Sequence, residues 1–513
     1  MIHHSPLPPV VVPDVSVAEY VLGPARQRGD RVALLDAESG ERLTYRELAE
    51  GAEAAAAGLA RLGVRPGDVV GLMSHNQPRY ALAVFAVLAA GATVAPVNPT
   101  LTVGELAKQL TIARARVLLT ASAVADKAAG LAAAGVERIV VLDGPDFDML
   151  VSGAGPAPRV LLDPRTAVAA LPFSSGTTGV SKGVQLTHRN LVANVEQNRS
   201  GWCPVEGDVV TAILPFFHIY GFNVIMTSAL RGGATLVTLP RFGLAPFLRM
   251  VQDHKVTQVM LVPPIVLALA TAPEVDDYDL SSVRYAMSGA APLDTEVAER
   301  AEKRLGCRIR QGYGMTEASP GTHVVPQGEA AAIPSGSIGR LLPNTECRLV
   351  DPVTGTDAAP GEPGELWVRG PQVMSGYLDN PVATAEALVD DGWLRTGDIA
   401  RVDADGLFWI VDRLKELIKY KGFQIAPAEL ESVLLTHPDV LDAAVIGVPD
   451  PVAGETPKAF VVTARKVEEA ALLDWVAERV ASYKRIRDVE FVSTIPKSPA
   501  GKILRRQLAA RTP

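Results

Sequence analysis

Cysteine is scarce in this 513-residue chain: only Cys203, Cys307 and Cys347, odd in number and far apart. That excludes a disulfide framework or a paired-cysteine zinc site and leaves three reduced thiols of a cytoplasmic protein as the expectation. A basic surplus is lacking too. The 49 Lys and Arg residues are outnumbered by 57 Asp and Glu, for a net charge of −8, so no broad nucleic-acid surface is expected. Charge is absent altogether from Tyr80 to Gly104, a run long enough to suggest a membrane span. Gly91, Pro96, Asn98 and Pro99 interrupt it, and it reads instead as a buried helix over Pro78–Ala90 and a strand over Thr93–Val97. The N-terminus has neither the charged region nor the apolar run of a signal peptide, and Ala510-Arg511-Thr512-Pro513 is not a peroxisomal address. The expectation is a soluble cytoplasmic protein with no membrane, nucleic-acid or protein partner.

What is present is an apolar chain, 48% hydrophobic and 21% charged, too long for one compact core. Up to about residue 400, alanine-rich helical segments alternate with short Val/Ile/Leu runs: Val69–Met73, Val117–Thr120, Ile139–Leu142, Val209–Leu214, Thr235–Leu239 and Gln258–Val262. This alternation predicts an α/β fold of parallel sheets covered by helices on both faces. After about Gly336 the pattern changes. Gly339-Arg340, Asp351–Gly364 and Glu365–Gly370 read as short strands joined by Gly/Pro turns, a small β subdomain. Beyond Asp412 a compact α+β piece is expected, with helices over Ala428–His437 and Glu468–Ser482 and strands over Ala443–Val448 and Ala459–Thr463.

The sharpest local signal is Ser174-Ser175-Gly176-Thr177-Thr178-Gly179-Val180-Ser181-Lys182-Gly183, after a predicted strand over Ala170–Phe173. Glycines let backbone N–H groups approach an anion, hydroxyls add donors, and Lys182 adds charge: a phosphate cradle. Lys182 is followed by glycine, so the spacing is not that of the P-loop of kinases and GTPases. In Gln311-Gly312-Tyr313-Gly314-Met315-Thr316-Glu317, the tyrosine offers a stacking face for a base. The Thr316 hydroxyl can reach a phosphate, and Glu317 can help hold magnesium, which prefers oxygen ligands. Thr396-Gly397-Asp398, read alone, is a common turn.

These segments resemble the adenylate-forming enzymes, which include acyl-CoA synthetases, luciferases and peptide adenylation domains. Two further blocks match in order: Asp412-Arg413-Leu414-Lys415-Glu416 with Lys419-Tyr420-Lys421-Gly422-Phe423-Gln424, and Pro496–Arg506 around Lys502. The resemblance implies a large N-terminal domain, 1–412, and a small mobile lid, 413–513, hinged near Lys415. It implies that Asp398, whose carboxylate can accept from both hydroxyls, and Arg413 bind ribose, and that Lys419 and Gln424 serve the adenylate. Lys421 and Gly422 would meet coenzyme A. Lys502 would bridge the carboxylate and the α-phosphate as the adenylate forms, where a cation offsets the repulsion of two anions. The substrates implied are ATP, coenzyme A and a carboxylic acid, with Mg2+ as cofactor.

Pro215-Phe216-Phe217-His218-Ile219-Tyr220-Gly221 and the block Asp412–Glu431 are most similar to 4-coumarate–CoA ligases. By that likeness Tyr220, Val224, Gly289, Ala290, Gly312, Pro320 and Gly321 line the acyl slot. His218 gates it, and Arg241 lies near the coenzyme A phosphates. Two positions depart from the plant-type pattern. Gly321 and Thr322 replace bulky aliphatic residues, which predicts a larger slot, and Val224 replaces a small hydroxyl residue. Cinnamate, 4-coumarate or another aryl acid is the expected substrate, with a medium-chain fatty acid or a luciferase-like monooxygenation as alternatives. A nucleotide-binding protein without catalysis is disfavoured by Lys502, Glu317 and Asp398 standing together.

Overall fold

The computed structural model describes residues 1–153, 158–174, 181–414, 416–420, 423–450, 453–498 and 501–511, with the backbone alone for residues 133, 423 and 424. The uncharged stretch forms the helix Pro78–Ala89, opened by Pro78 and buried on nearly every side. A helix without a polar face must be covered all round. It packs on the helix Tyr45–Arg61 and against the strand Thr93–Val97. Among the described residues no helix is long and apolar enough to cross a membrane.

Strands of the described residues fall into four sheets. In the first, Thr93–Val97, Val69–Met73, Val117–Thr120 and Arg138–Val141 are parallel neighbours. Lys182–Thr187 runs antiparallel between Val168–Ala170 and Gly376–Tyr377, and also pairs with Phe173–Ser174. In the second, Val32–Asp36, Thr235–Thr238, Val209–Ala212, Gln258–Leu261, Tyr285–Ser288 and Ile309–Gly314 lie parallel in that order. Gly321–Val324 and Arg340–Leu341 extend it antiparallel. The central runs are mostly apolar because both faces are buried, and one continuous core joins these two sheets and the helices around them.

The third sheet is the small β subdomain. Ile2–His4, Glu346–Val350, Gly364–Arg369 and Trp393–Val402 are antiparallel, and Phe408–Arg413 pairs with Trp393–Val402. The fourth joins Ile418–Tyr420, Phe423–Ile425, Val440–Asp450, Gly454–Thr463 and Asp488–Phe491. Helices Pro427–Leu435 and Glu469–Ala477 cover it over a separate core of Ile418, Leu430, Val445, Val461 and Leu472.

Three expectations are corrected. The stretch over residues 351–363 is turn: the Asp351 carboxylate accepts the Val353 N–H at 2.8 Å, and Gly355 and Gly361 take positive φ, both chain-reversing devices that stop a strand. The strand expected over Ala170–Phe173 is two short strands broken at Leu171-Pro172, since Pro172 has no N–H for a ladder. The helix expected over Glu468–Ser482 ends at Ala477. One element had no sequence signal: Tyr220–Thr227 is a π-helix, in which the Thr227 and Ser228 hydroxyls bond the carbonyls of Phe222 and Asn223 five residues back at 2.9 and 3.2 Å. Such wide turns are rare and concentrate at functional sites.

Candidate active site

Neighbouring strands of the β subdomain place Asp398 directly opposite Arg413, and the Arg413 Nε lies 3.2 Å from the carboxylate. From the end of the second sheet Tyr313 donates its phenol to the same carboxylate at 2.5 Å. Asp398 is buried, which raises its carboxyl above the ordinary value; Arg413, the Tyr313 hydroxyl and Lys502 pull the other way. The result is a carboxylate at the junction of two sheets, with an aromatic face beside it.

Lys502 reaches this cluster from the C-terminal segment. It lies where the bridge Lys497↔Ile503 and the Ser498 N–H to the Lys502 carbonyl, at 2.8 Å, bring the chain back on itself, and Lys497 binds Asp442 at 2.6 Å. Burial and then the Arg413 guanidinium push its ammonium down to about 8, against Glu416 and Asp398. Arg505 anchors the segment's exit, binding Glu416 at 2.8 Å and Glu431 at 2.7 Å. Gly501 does two jobs. Its φ is +80°, and a Cβ there would stand 2.9 and 3.1 Å from Cδ and Cγ of Pro264, at the start of the helix Pro263–Thr271. Glycine thus lets the segment seat against the large domain. Gly501→Ala is expected to slow the step that Lys502 serves roughly five- to hundredfold, since strain and contact together amount to about 1–3 kcal/mol; a wild-type rate would show that the segment does not seat here.

On the other side of the cluster, Ser174 pairs with Lys182 across adjacent strands. The Lys182 Nζ stands 5.0 Å from the centre of the Tyr377 ring, and the Tyr377 hydroxyl donates to Glu317 at 2.9 Å. Glu317 sits beside Thr316 in a short turn of helix, and its carboxylate is buried. Among the described residues no group of three or more His, Cys, Asp or Glu could hold a metal unaided. One buried carboxylate next to a hydroxyl does fit magnesium, which is bound through one or two carboxylates plus substrate phosphates.

The third region is where the sequence places the acyl slot. Tyr220 lies buried in the π-helix with Val224. A Cβ at Gly289 would stand 3.2 Å from the Tyr220 ring, and one at Gly312 would stand 2.6 Å from Met287 Cε. Glycine at both positions lets the Tyr220 ring and Met287 pack directly against the strands. Ala290 holds a φ of 72°, a strained conformation of the kind found at ligand sites. The Tyr220 hydroxyl is buried and has no partner among the described residues. His218 accepts the Tyr220 N–H on Nδ1 at 3.2 Å, and burial pushes its imidazole down to about 4. It is therefore neutral, with its proton on Nε2. Pro320 closes a turn back on Met315, whose N–H bonds the Pro320 carbonyl at 3.0 Å.

The expected widening at Gly321 is corrected. A Cβ there would meet Asn198 at 2.9–3.0 Å and Leu342 at 3.2 Å, so the glycine admits the Asn198 amide, and its missing side chain leaves no void.

Gln311 is buried on the strand that carries Gly312 and Tyr313. Lys419 stands apart: it is exposed on Ile418–Tyr420, its N–H bonds Glu455 at 2.8 Å, and its strand partner is Gln424. Arg241 is exposed at a bend; burial and the Arg241 charge lower the nearby His75 imidazole. Ser175, Gly176, Thr177, Thr178, Lys415, Lys421 and Gly422 lie outside the described residues. Sequence reading missed Tyr377, Met287, Gly501 and Arg505. Only Gly501 and Arg505 lay inside a recognisable block; Tyr377 is defined by contacts between two sheets and Met287 by the neighbouring strand of its own sheet.

Residues 23–378 match the family model of the AMP-binding enzymes. This chain belongs to the AMP-binding enzyme family. Residues 429–502 match the C-terminal domain of AMP-binding enzymes, a segment that ends on Lys502. This AMP-binding enzyme is 42% identical to 4-coumarate-CoA ligase 1 of Narcissus pseudonarcissus, covering 99% of this chain and 96% of that one. Among solved structures it resembles the anthranilate CoA ligase AuaEII in complex with anthranoyl-AMP, with a TM-score of 0.90 and 27% identity over 98% of both chains. It also resembles ATP-bound MatB from Rhodopseudomonas palustris, with a TM-score of 0.88 and 28% identity over 97% of this chain and 99% of that one.

Proposed function

We propose that this AMP-binding enzyme is an ATP-dependent acid–coenzyme A ligase acting on an aryl acid of the cinnamate or 4-coumarate kind. The observation that carries the reading is that Lys502, on the C-terminal segment, lies within electrostatic reach of Asp398 and Arg413 of the large domain, where Tyr313 bonds the same carboxylate. Asp398 and Arg413 hold the ribose, and the Tyr313 ring stacks on the adenine. Lys182 and Ser174 face the outer phosphates. Glu317, with Thr316, would hold magnesium, which when bound supplies positive charge against the phosphates.

In the first half-reaction a carboxylate oxygen attacks the α-phosphorus and pyrophosphate leaves. Lys502 stands between the two anions and offsets their repulsion as they approach. The acyl carbon, now bonded to a good leaving group, is electrophilic. In the second half-reaction the lid turns about Lys415, withdraws Lys502 and brings Lys421, Gly422, Lys419 and Gln424 forward, a gating motion. The coenzyme A sulfur then bonds the acyl carbon, AMP departs and the thiol proton goes to solvent. His218, neutral and beside Tyr220, lines the passage, and Arg241 draws the phosphates of the thiol substrate.

An aryl acid is favoured by the relatives' named substrates, 4-coumarate and anthranilate, and by the buried Tyr220 ring packed on Gly289. The buried Tyr220 hydroxyl refines this. A polar ring substituent would satisfy it, whereas an alkyl chain leaves it unpaired at a cost of about 1–3 kcal/mol. Thioester formation is therefore expected to favour 4-coumarate over octanoate roughly ten- to hundredfold in kcat/KM, with cinnamate and benzoate between. Equal turnover of octanoate would remove the aryl-acid assignment.

A further inference from the structure

The phosphate-facing part of the site is built from two sheets. Ser174 and Lys182 belong to the first, and Glu317 follows the last parallel strand of the second. Tyr377 touches both. Its strand, Gly376–Tyr377, pairs antiparallel with Lys182–Thr187, placing Tyr377 opposite Val184. Its N–H bonds the Thr384 hydroxyl at 2.9 Å, and the next residue, Leu378, bonds the Gly183 carbonyl at 2.9 Å. The backbone is fixed on the phosphate loop's own exit strand. From there the side chain reaches across: the hydroxyl donates to Glu317 Oε1 at 2.9 Å, and the ring face lies 5.0 Å beneath the Lys182 ammonium.

Each half of this contact has a consequence. Glu317 is acceptor-only when ionised, and the phenol pins one of its two oxygens, leaving the other for a cation. Lys182 has no acidic partner among the described residues. The ring holds it by a cation–π contact, which is weak enough to yield when phosphates arrive. Ser174 completes the group: its hydroxyl is buried beside the Tyr377 phenol.

We infer that Tyr377 is a positioning residue for pyrophosphate release, aligning the Glu317 carboxylate with the Lys182 ammonium so that the outer phosphates of magnesium-bound ATP meet both at once. This rests on the reading of the chain as an adenylate-forming ligase. It does not bear on which acid is activated.

The test separates the hydroxyl from the ring. Titrate ATP into the full chain by calorimetry, once with Mg2+ in excess and once in EDTA, for the wild type, Tyr377→Phe and Tyr377→Leu. Tyr377→Phe keeps the ring under Lys182 and frees Glu317. It is expected to weaken binding of MgATP at least tenfold, while binding of metal-free ATP changes less than twofold. Tyr377→Leu, which also releases Lys182, weakens both. The phenylalanine variant overturns the inference if it binds MgATP like the wild type, or if it loses MgATP and metal-free ATP equally, the signature of a merely structural role. A wild-type chain that binds neither form would overturn the ligase reading along with it. A melting curve for each variant, matching the wild type, shows that the fold is intact.

Discussion

Lys502→Ala is expected to slow acyl-adenylate formation by about 10²–10³-fold, the usual effect of removing one preorganised group that faces developing charge. Thioester formation from supplied acyl-AMP should survive, because by then Lys502 has left the site. Stopped assays of pyrophosphate release and of thioester formation read the two steps separately, and equal loss of both would show that Lys502 serves some other purpose. The acid–base behaviour of this lysine adds a second, independent signature. Burial and Arg413 hold its ammonium down to about 8. The lysine is a cation below that pH and neutral above it, and the proposed role needs the cation. For adenylate formation, kcat/KM for ATP should therefore fall as pH rises through about 8, approaching about tenfold per pH unit. Lys502→Arg, always charged, should lose activity yet show no such fall.

The second large effect is expected at Asp398. Asp398→Asn keeps the shape of the side chain and an acceptor for the Tyr313 phenol, but it loses the charge that faces Arg413 and the second acceptor for a ribose. ATP affinity should drop roughly ten- to hundredfold, since a hydrogen bond to a charged group is worth about 1.5–3 kcal/mol. Stability should change far less. The Arg413 side chain is 39% exposed, so water replaces much of what the ion pair supplied and the loss stays near 1 kcal/mol. Isothermal titration and a melting curve on one preparation distinguish the two quantities. Unchanged ATP affinity would remove Asp398 and Arg413 from the nucleotide site.

Local chemistry was legible in the sequence because it is carried by neighbours in the chain. The Gly/Thr/Lys run after Phe173, the Tyr-Gly-Met-Thr-Glu stretch and the lysine near residue 502 each name a chemistry through residue type and spacing alone. Val69–Met73, Thr93–Val97 and Val117–Thr120 were equally plain, since strands buried on both faces are mostly apolar. What stayed hidden depends on residues far apart in sequence. Tyr377 matters because two sheets bring it between Lys182 and Glu317. Met287 shapes the slot only because Gly312 lies on the next strand. The Gly321 reading failed for the same reason: a small residue leaves space only if nothing else fills it, and Asn198 does. The π-helix over Tyr220–Thr227 escaped because its apolar composition fits an ordinary helix equally well.

The residues of the cluster are separated by up to 189 positions, from Tyr313 to Lys502, yet their joint meaning is one reaction. That reaction is tested most directly by pyrophosphate exchange in the absence of thiol. The wild-type chain, supplied with MgATP, labelled pyrophosphate and 4-coumarate but no coenzyme A, should return label to ATP. Exchange should vanish when the acid is omitted. Exchange that ignores the acid, or consumption of ATP to ADP and inorganic phosphate in its place, would contradict the account.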